Sequence, residues 1–306
     1  NYYYNRINYY FIDNQEYFTC DHPYGSTEWD IERFAFFDKA VLSCLPLLDF
    51  QPDIIHCNDW QTGLIPVYLK EEFSKGPFYQ KMKTILTIHN LKFQGVWSID
   101  HVKAVTGLPD HLFTPDKLAF YQNASLLKGG LVFADYITTV SKTYAQEIQT
   151  EQFGEGLHGL LFHRRLDMLG ILNGIDYRLF NPHKDLSIQF PYEVSNFRTQ
   201  KPKNKKVLQQ ETGLTVDPKK FLIGIVSRLT DQKGFDLICS AIDQIIDDQT
   251  QLVIVGTGDS RYEDSLLYYA SKYPGKVAAH IEYAQDLSQK IYAGADAFLM
   301  PSYFEP

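Results

Sequence analysis

Two cations, Arg228 and Lys233, lie five residues apart in VSRLTDQKGFDLI (226–238), where an apolar run gives way to a helical pattern. A strand end leading into a helix start already favours anions, because free backbone N–H groups point outward there. Adding Arg and Lys turns that mild preference into a candidate phosphate clamp. The same residue types also occur as ordinary surface charges in a β–α loop, so the pair alone does not decide. Other polar residues recur at equivalent places. Asp59 follows DIIHCN, His89 follows ILTI and Asn173 follows MLGIL. Gly256 and Gly258 follow LVIV in the turn GTGD, and Glu305 follows AFLMPSYF. Each has a plainer reading as well. Asp59 can cap the WQTGL helix, Glu305 can cap a following helix, and a strand-end His can be purely structural. Gly256 and Gly258 either form tight turns or let a ligand approach the backbone closely. In LNGID, a positive φ expected at Gly174 explains much of the turn, leaving ligand contact by Asn173 as a modest addition.

These positions fall at the ends of short apolar runs that alternate with helical patterns. The runs PDIIHCND (52–59), MKTILTIHN (82–90), ADYITTVS (134–141) and MLGILNGID (168–176) read as strands, the last closing in an Asn-Gly turn. After a Pro- and Lys-containing stretch near 190–206 the alternation restarts. FLIGIVSR, QLVIVGTGD, VAAHIEY and DAFLMPS read as strands, with GFDLICSAIDQII, YEDSLLYYASKY and LSQKIYAGA as helices. Strand–helix alternation implies parallel sheets with right-handed crossovers, hence an α/β protein of two sheets. The break divides it into a domain at 1–200 and another at 201–306. In open α/β sheets ligands lie beyond the carboxyl ends of the strands. The six polar strand ends are therefore expected to meet in one cleft.

Composition narrows the partners. With 306 residues, two cores are the default. A net charge of −8 argues against a nucleic-acid surface, and the cluster KPKNKK (201–206) reads as a solvated linker or exposed helix start. No apolar run approaches the roughly 20 residues that span a bilayer. Cys20, Cys44, Cys57 and Cys239 show no metal or disulfide spacing, which fits a reducing compartment. The 21 Tyr and 21 Phe are a high aromatic content; much of it must be core, but Tyr-rich surfaces also suit sugar rings, which offer apolar faces and polar edges.

The stretches HCNDWQTGLIPVYLK, TIHNLKFQG, LNGIDYRLFNP, VSRLTDQKGFDLI, VGTGD and FLMPSYFEP, taken in order, resemble the bacterial glycogen synthase and plant starch synthase family. The resemblance covers about 10–306. It implies the GT-B fold, with two Rossmann-like domains facing across a cleft and the second incomplete. It also implies transfer of glucose from ADP-glucose to the non-reducing end of an α-1,4-glucan, with retention of configuration and with no metal or cofactor. The family's glycine loop would precede Asn1 and its remaining strands would follow Pro306, so an internal fragment lacking both ends is expected. A cytoplasmic place is implied, or the plastid stroma for a plant sequence; the oligomeric state is left open.

Carried onto this chain, the resemblance makes Arg228 and Lys233 ligands of the donor diphosphate and sets Glu305 by the donor sugar. Negative charge grows on the leaving phosphate as the glycosidic C–O bond breaks, while a carboxylate can steady the positive sugar carbon. His89 would bond the donor glucose, with Asn90 supporting it and Asp59 near donor or acceptor hydroxyls. Tyr24, Asn173, Gly256, Gly258 and Tyr283 become substrate-binding candidates, with Tyr283 stacking on adenine unless it is a core residue. Departures occur at Glu282, Gln289 and Tyr303, where the family often has Gly, His and Arg. Alternatives are a related sugar-nucleotide transferase of the sucrose-synthase type, or an inactive fragment that binds glucan or nucleotide.

Overall fold

The computed structural model describes residues 1–19, 25 and 27–306 (of Thr27 the backbone only). They form two compact units: Asn1–Asn173 with Pro306, and Gly174–Glu305. Both are α/β with parallel sheets, as the strand–helix alternation requires.

In the first unit the strands Ile54–Asn58, Lys83–Ile88, Tyr136–Thr139 and Met168–Gly170 lie side by side in that order, all parallel. Thr84, Leu86, Thr87 and Ile88 of the second strand are all buried, the mark of a strand covered on both faces. Helices Leu64–Glu71 and Leu126–Phe133 supply Leu64, Val67, Leu126 and Leu131 to the same core. A small antiparallel sheet (Val96–Ser98, Asn123–Ser125, Ala119–Phe120) and a hairpin (Tyr2–Tyr4, Ile7–Tyr9) complete the unit.

The second unit has the order Val277–His280, Thr250–Val255, Phe221–Val226, Ala297–Phe298, again parallel. Successive side chains of Thr250–Val255 alternate between two cores. Leu252 and Ile254 meet Phe235, Ile238 and Ile242 of helix Phe235–Ile245. Val253 and Val255 share the other core with Leu208 of helix Phe197–Glu211 and Ile291 of helix Gln285–Gly294. The chain builds the sheet outward from Phe221–Val226 on one side, then returns to add Ala297–Phe298 on the other. That reversal is a topological switch point, where open α/β sheets leave a crevice at their carboxyl ends.

Three expectations change. The boundary falls at 173/174 rather than 200/201, because the residues after Asn173 fold onto the second sheet's helices. Ser187 Oγ donates to Asp286 at 3.0 Å, and the Phe190 backbone exchanges bonds with the Asn204 amide at 3.0 and 2.8 Å. KPKNKK is not a solvated linker: it lies inside helix Phe197–Glu211. Lys205 is buried, pairs with Asp296 at 2.6 Å and donates to the Pro218 and Lys220 carbonyls, while Lys201 caps the carbonyl end of helix Gln285–Gly294 at Tyr292 and Ala293. The final strand is short, Ala297–Phe298, because the chain beyond it leaves the sheet to run along the 232–234 turn.

Cys44, Cys57 and Cys239 are free thiols, and Cys20 lies outside the described residues. Among the described residues no helix is long and apolar enough to cross a membrane.

Candidate active site

The second unit carries the cationic part of the site. Beyond Val226 the chain passes through Ser227, Arg228 and Leu229 into the turn Asp231–Lys233 and then helix Phe235–Ile245. Gly234, at φ 71°, makes the entry; a Cβ there would overlap the Pro301 carbonyl, which brings the chain's last segment alongside. Tyr303 N–H donates to the Gln232 carbonyl at 3.0 Å, and its hydroxyl to Asp236 at 2.5 Å. Tyr303, a departure from the family pattern, is thus tied to this turn.

This docking delivers Glu305 to Lys233. Lys233 Nζ donates to Glu305 Oε1 at 2.5 Å, and Ser302 Oγ donates to the same oxygen at 2.6 Å. Burial pushes the Glu305 carboxyl up, but the bonds from Lys233 and Ser302 and the charges of Lys233 and Arg228 outweigh it. The net result is a carboxyl below its ordinary range. Arg228 is exposed and, among the described residues, its guanidinium has no carboxylate within ion-pairing distance. Asp231 fixes the turn from behind, accepting from Arg261 at 2.5 Å and from the Tyr262 hydroxyl. Sequence reasoning missed Ser302 and Asp231; the only cue was their adjacency to Glu305 and Lys233.

The GTGD turn is zipped to the Arg228 loop. Leu229 N–H donates to the Thr257 carbonyl at 2.9 Å, and Asp259 N–H to the Leu229 carbonyl at 2.8 Å. A Cβ at Gly256 would overlap the Ser227 carbonyl, and one at Gly258 the Leu229 carbonyl. The close approach these glycines permit is therefore made by the chain's own backbone. Tyr283 is 92% exposed, three residues past the strand end at His280, which overturns the core alternative.

In the first unit, Asp59 follows strand Ile54–Asn58 with φ 57°, a left-handed conformation unusual for a non-glycine residue. Its side chain does not cap the Trp60–Thr62 turn. Instead Oδ1 accepts the His89 backbone N–H at 2.7 Å, and the carboxylate also takes the Asn90 N–H. The capping alternative is thereby excluded. Burial raises the Asp59 carboxyl, and the two N–H groups and His89 pull it only part of the way back. His89 Nε2 meets Asn58 Oδ1 at 3.0 Å. An amide oxygen only accepts, so Nε2 is the donor in this contact. Asn58 was missed in the sequence, although it immediately precedes Asp59 and faces away from buried Cys57. Asn90 supports His89 indirectly: its own Oδ1 takes the Lys92 N–H at 3.1 Å, and its backbone steadies Asp59.

Asn173 is exposed at the end of the first unit, and its side chain makes no hydrogen bond among the described residues. Gly174 does not adopt positive φ, contrary to expectation. The turn is set two residues later by Asp176, whose Oδ1 accepts the Arg178 N–H at 2.9 Å. Tyr24 lies outside the described residues. Within each unit, then, the strand ends bring Asp59, His89 and Asn90 together in the first, and Arg228, Lys233, Glu305, Gly256 and Gly258 in the second. A cation pair beside an ionised carboxylate can hold an anionic leaving group and face a positive carbon.

Comparisons with known proteins agree. Residues 1–163 match the family described as the starch synthase catalytic domain, and 208–306 that of glycosyl transferases group 1. The glycogen synthase of Lachnospira eligens is 57% identical over 302 residues, covering 99% of this chain and 63% of that protein. That of Lachnoclostridium phytofermentans is 57% identical over 305 residues, covering 100% and 64%. The chain thus spans under two thirds of the length of these curated relatives. Among solved structures, the catalytic domain of starch synthase IV from Arabidopsis thaliana, bound to ADP and acarbose, matches with a TM-score of 0.87 at 31% identity, covering 95% of this chain and 60% of that one. With its first half in that family and its parallel-sheet α/β fold of the GT-B class, the chain belongs to the starch synthase catalytic-domain family of glycosyltransferases.

Proposed function

We propose that the protein transfers glucose from ADP-glucose to the non-reducing end of an α-1,4-glucan, with retention of configuration, in glycogen or starch synthesis. The carrying observation is the 2.5 Å contact of Lys233 with Glu305 beside Arg228, at the switch point of the second sheet. Relatives named glycogen synthase, and a neighbour bound to ADP and acarbose, support a nucleotide-sugar donor and a glucan acceptor.

In this reading Arg228 and Lys233 take the charge that accumulates on the departing ADP as the C–O bond breaks, a role a metal would otherwise fill. A cation ~4 Å from that charge interacts by ~4 kcal/mol at an effective dielectric of 20. Each ~1.36 kcal/mol realised only in the transition state is tenfold in rate. Glu305, held ionised by the same lysine, steadies the oxocarbenium-like carbon, and His89 orients the sugar.

The test is ADP release from ADP-glucose. It is expected to depend on added glycogen and to fall roughly a hundredfold in Arg228→Ala. Release indifferent to glycogen, or an unimpaired variant, would end the proposal. Turnover of UDP-glucose with a small acceptor instead would favour a sucrose-synthase-like transferase. Binding of ADP and glucan without any turnover would favour the non-catalytic reading.

A further inference from the structure

Strand Ile54–Asn58 is outermost in its sheet among the described residues, so every second backbone N–H and carbonyl has no strand to bond. Those of Asn58 are met by one hydroxyl. Thr62 Oγ1 accepts the Asn58 N–H at 2.6 Å and donates to the Asn58 carbonyl at 2.9 Å. The clip closes the turn over Asp59, whose own N–H crosses to the Thr87 carbonyl at 2.9 Å. Asn58 is thereby pinned in the backbone, although the residue is exposed.

From that position Asn58 Oδ1 reaches His89 Nε2 at 3.0 Å. The contact repeats a rule of this strand pair. Asn58 is in register with Thr87 and His56 with Ile85, and each side chain bonds the residue two places beyond its register partner. Asn58 meets His89, and His56 Nε2 meets Thr87 Oγ1 at 2.6 Å. Residues two apart share a sheet face, so both contacts follow from pairing and twist rather than from a chance rotamer. His89 is exposed; Asp59 Oδ1 ties its backbone N–H at 2.7 Å, and Asn58 Oδ1 is its ring's one hydrogen-bond partner among the described residues. An exposed imidazole samples several rotamers, and one net hydrogen bond favours a single one by roughly fivefold. We propose that Asn58 is the positioning residue for His89: its pinned amide oxygen holds the imidazole in the orientation in which the ring meets the donor sugar. That the ring meets a sugar rests on the function proposed above; that Asn58 holds the ring does not.

The experiment is NMR relaxation of the His89 ring in the histidine-labelled full chain and in Asn58→Leu and Asn58→Asp, paired with ADP release from ADP-glucose and glycogen. Leu keeps the volume of Asn and loses the acceptor, whereas Asp keeps an acceptor oxygen. The ring order parameter is expected near the ~0.85 of a rigid group in the parent and in Asn58→Asp, and below ~0.6 in Asn58→Leu, with the thermal midpoint kept. In Asn58→Leu kcat is expected to fall roughly fivefold, and the same change made in His89→Ala to cost nothing further. An equally rigid ring in Asn58→Leu, or a mobile ring in the parent, overturns the assignment whatever the ADP assay shows. So does an undiminished rate in Asn58→Leu, or a loss that persists in full in His89→Ala. A ring freed by Asn58→Leu, in a chain that releases no ADP, upholds the hold of Asn58 on His89 and sinks only the transferase reading.

Discussion

Glu305 Oε1 receives both Lys233 Nζ and Ser302 Oγ, so one oxygen is anchored and the carboxylate stays charged below its ordinary range. Ionised glutamate favours the reaction on the proposed mechanism, so activity should persist into mildly acidic solution and fail as Glu305 takes up its proton. Removing the lysine donor in Lys233→Ala raises that carboxyl. The acid limb of the pH profile of kcat/KM is expected to move to higher pH, besides the loss in rate; an unmoved limb would show that Lys233 does not control Glu305. Asp59 is shifted the other way, by burial. Arg228, Lys233 and Glu305 were legible because each follows an apolar run at a strand end. Asn58 and Ser302 were not, because neutral hydrogen-bonding side chains give no signal until their partners are in place.

At the scale of elements, one buried acid and one glycine decide how the site is carried. Asp38, from helix Thr27–Cys44, is fully buried beneath the start of helix Leu64–Glu71; its Oδ2 accepts the Leu64 N–H at 2.9 Å while Oδ1 has no hydrogen-bond partner among the described residues. Burial pushes its carboxyl well up despite the Leu64 and Ile65 N–H groups. A raised acid contributes stability at low pH that is lost as pH rises through its folded value. Denaturation at a series of pH values should therefore show the parent losing stability relative to Asp38→Asn as pH climbs above the ordinary carboxylate range; parallel curves would refute a raised Asp38. Gly258→Ala would press a Cβ into the Leu229 carbonyl and part the GTGD turn from the Arg228 loop. A loss of about 1–3 kcal/mol is expected from denaturant titration, with ADP release reduced further. Gly174→Ala is the contrast: with open space and no positive φ it should stay within about 0.5 kcal/mol. The strands of the two parallel sheets and helices such as Phe235–Ile245 were readable from periodicity, whereas helices Thr27–Cys44 and Phe197–Glu211 were not. The ends of the strands were not readable either, because Ala297–Phe298 stops where backbone contacts to the 232–234 turn take over.

For the whole molecule, the two units have separate cores, so calorimetry of the chain should resolve two transitions. ADP is expected to raise only the transition of 174–305, by about 2.7 kcal/mol of stabilisation at a hundred times its Kd. A shift confined to the other transition would misplace the nucleotide. Lys205→Ala strips Asp296 of a buried partner and should lower that same transition, by roughly 3 kcal/mol. The boundary at 173/174 was hidden in the sequence, since a Pro- and Lys-containing stretch reads as a linker until its lysines find carbonyls and a carboxylate to bind.

What the sequence by itself determined was everything that depends on near neighbours: the alternation of apolar runs with helical stripes, the glycine turns, and the chemical types waiting at strand ends. What only the tertiary structure decided was which of those residues meet. Lys233 and Glu305 are 72 positions apart, and Asp59 and His89 30 apart. Their contacts follow from parallel register and from the reversal of strand order that lays the last segment beside the Lys233 turn. The physical reason is that periodicity records which face of an element is buried, whereas a hydrogen bond between strand ends depends on which strands become neighbours, and that is a property of the packed sheet.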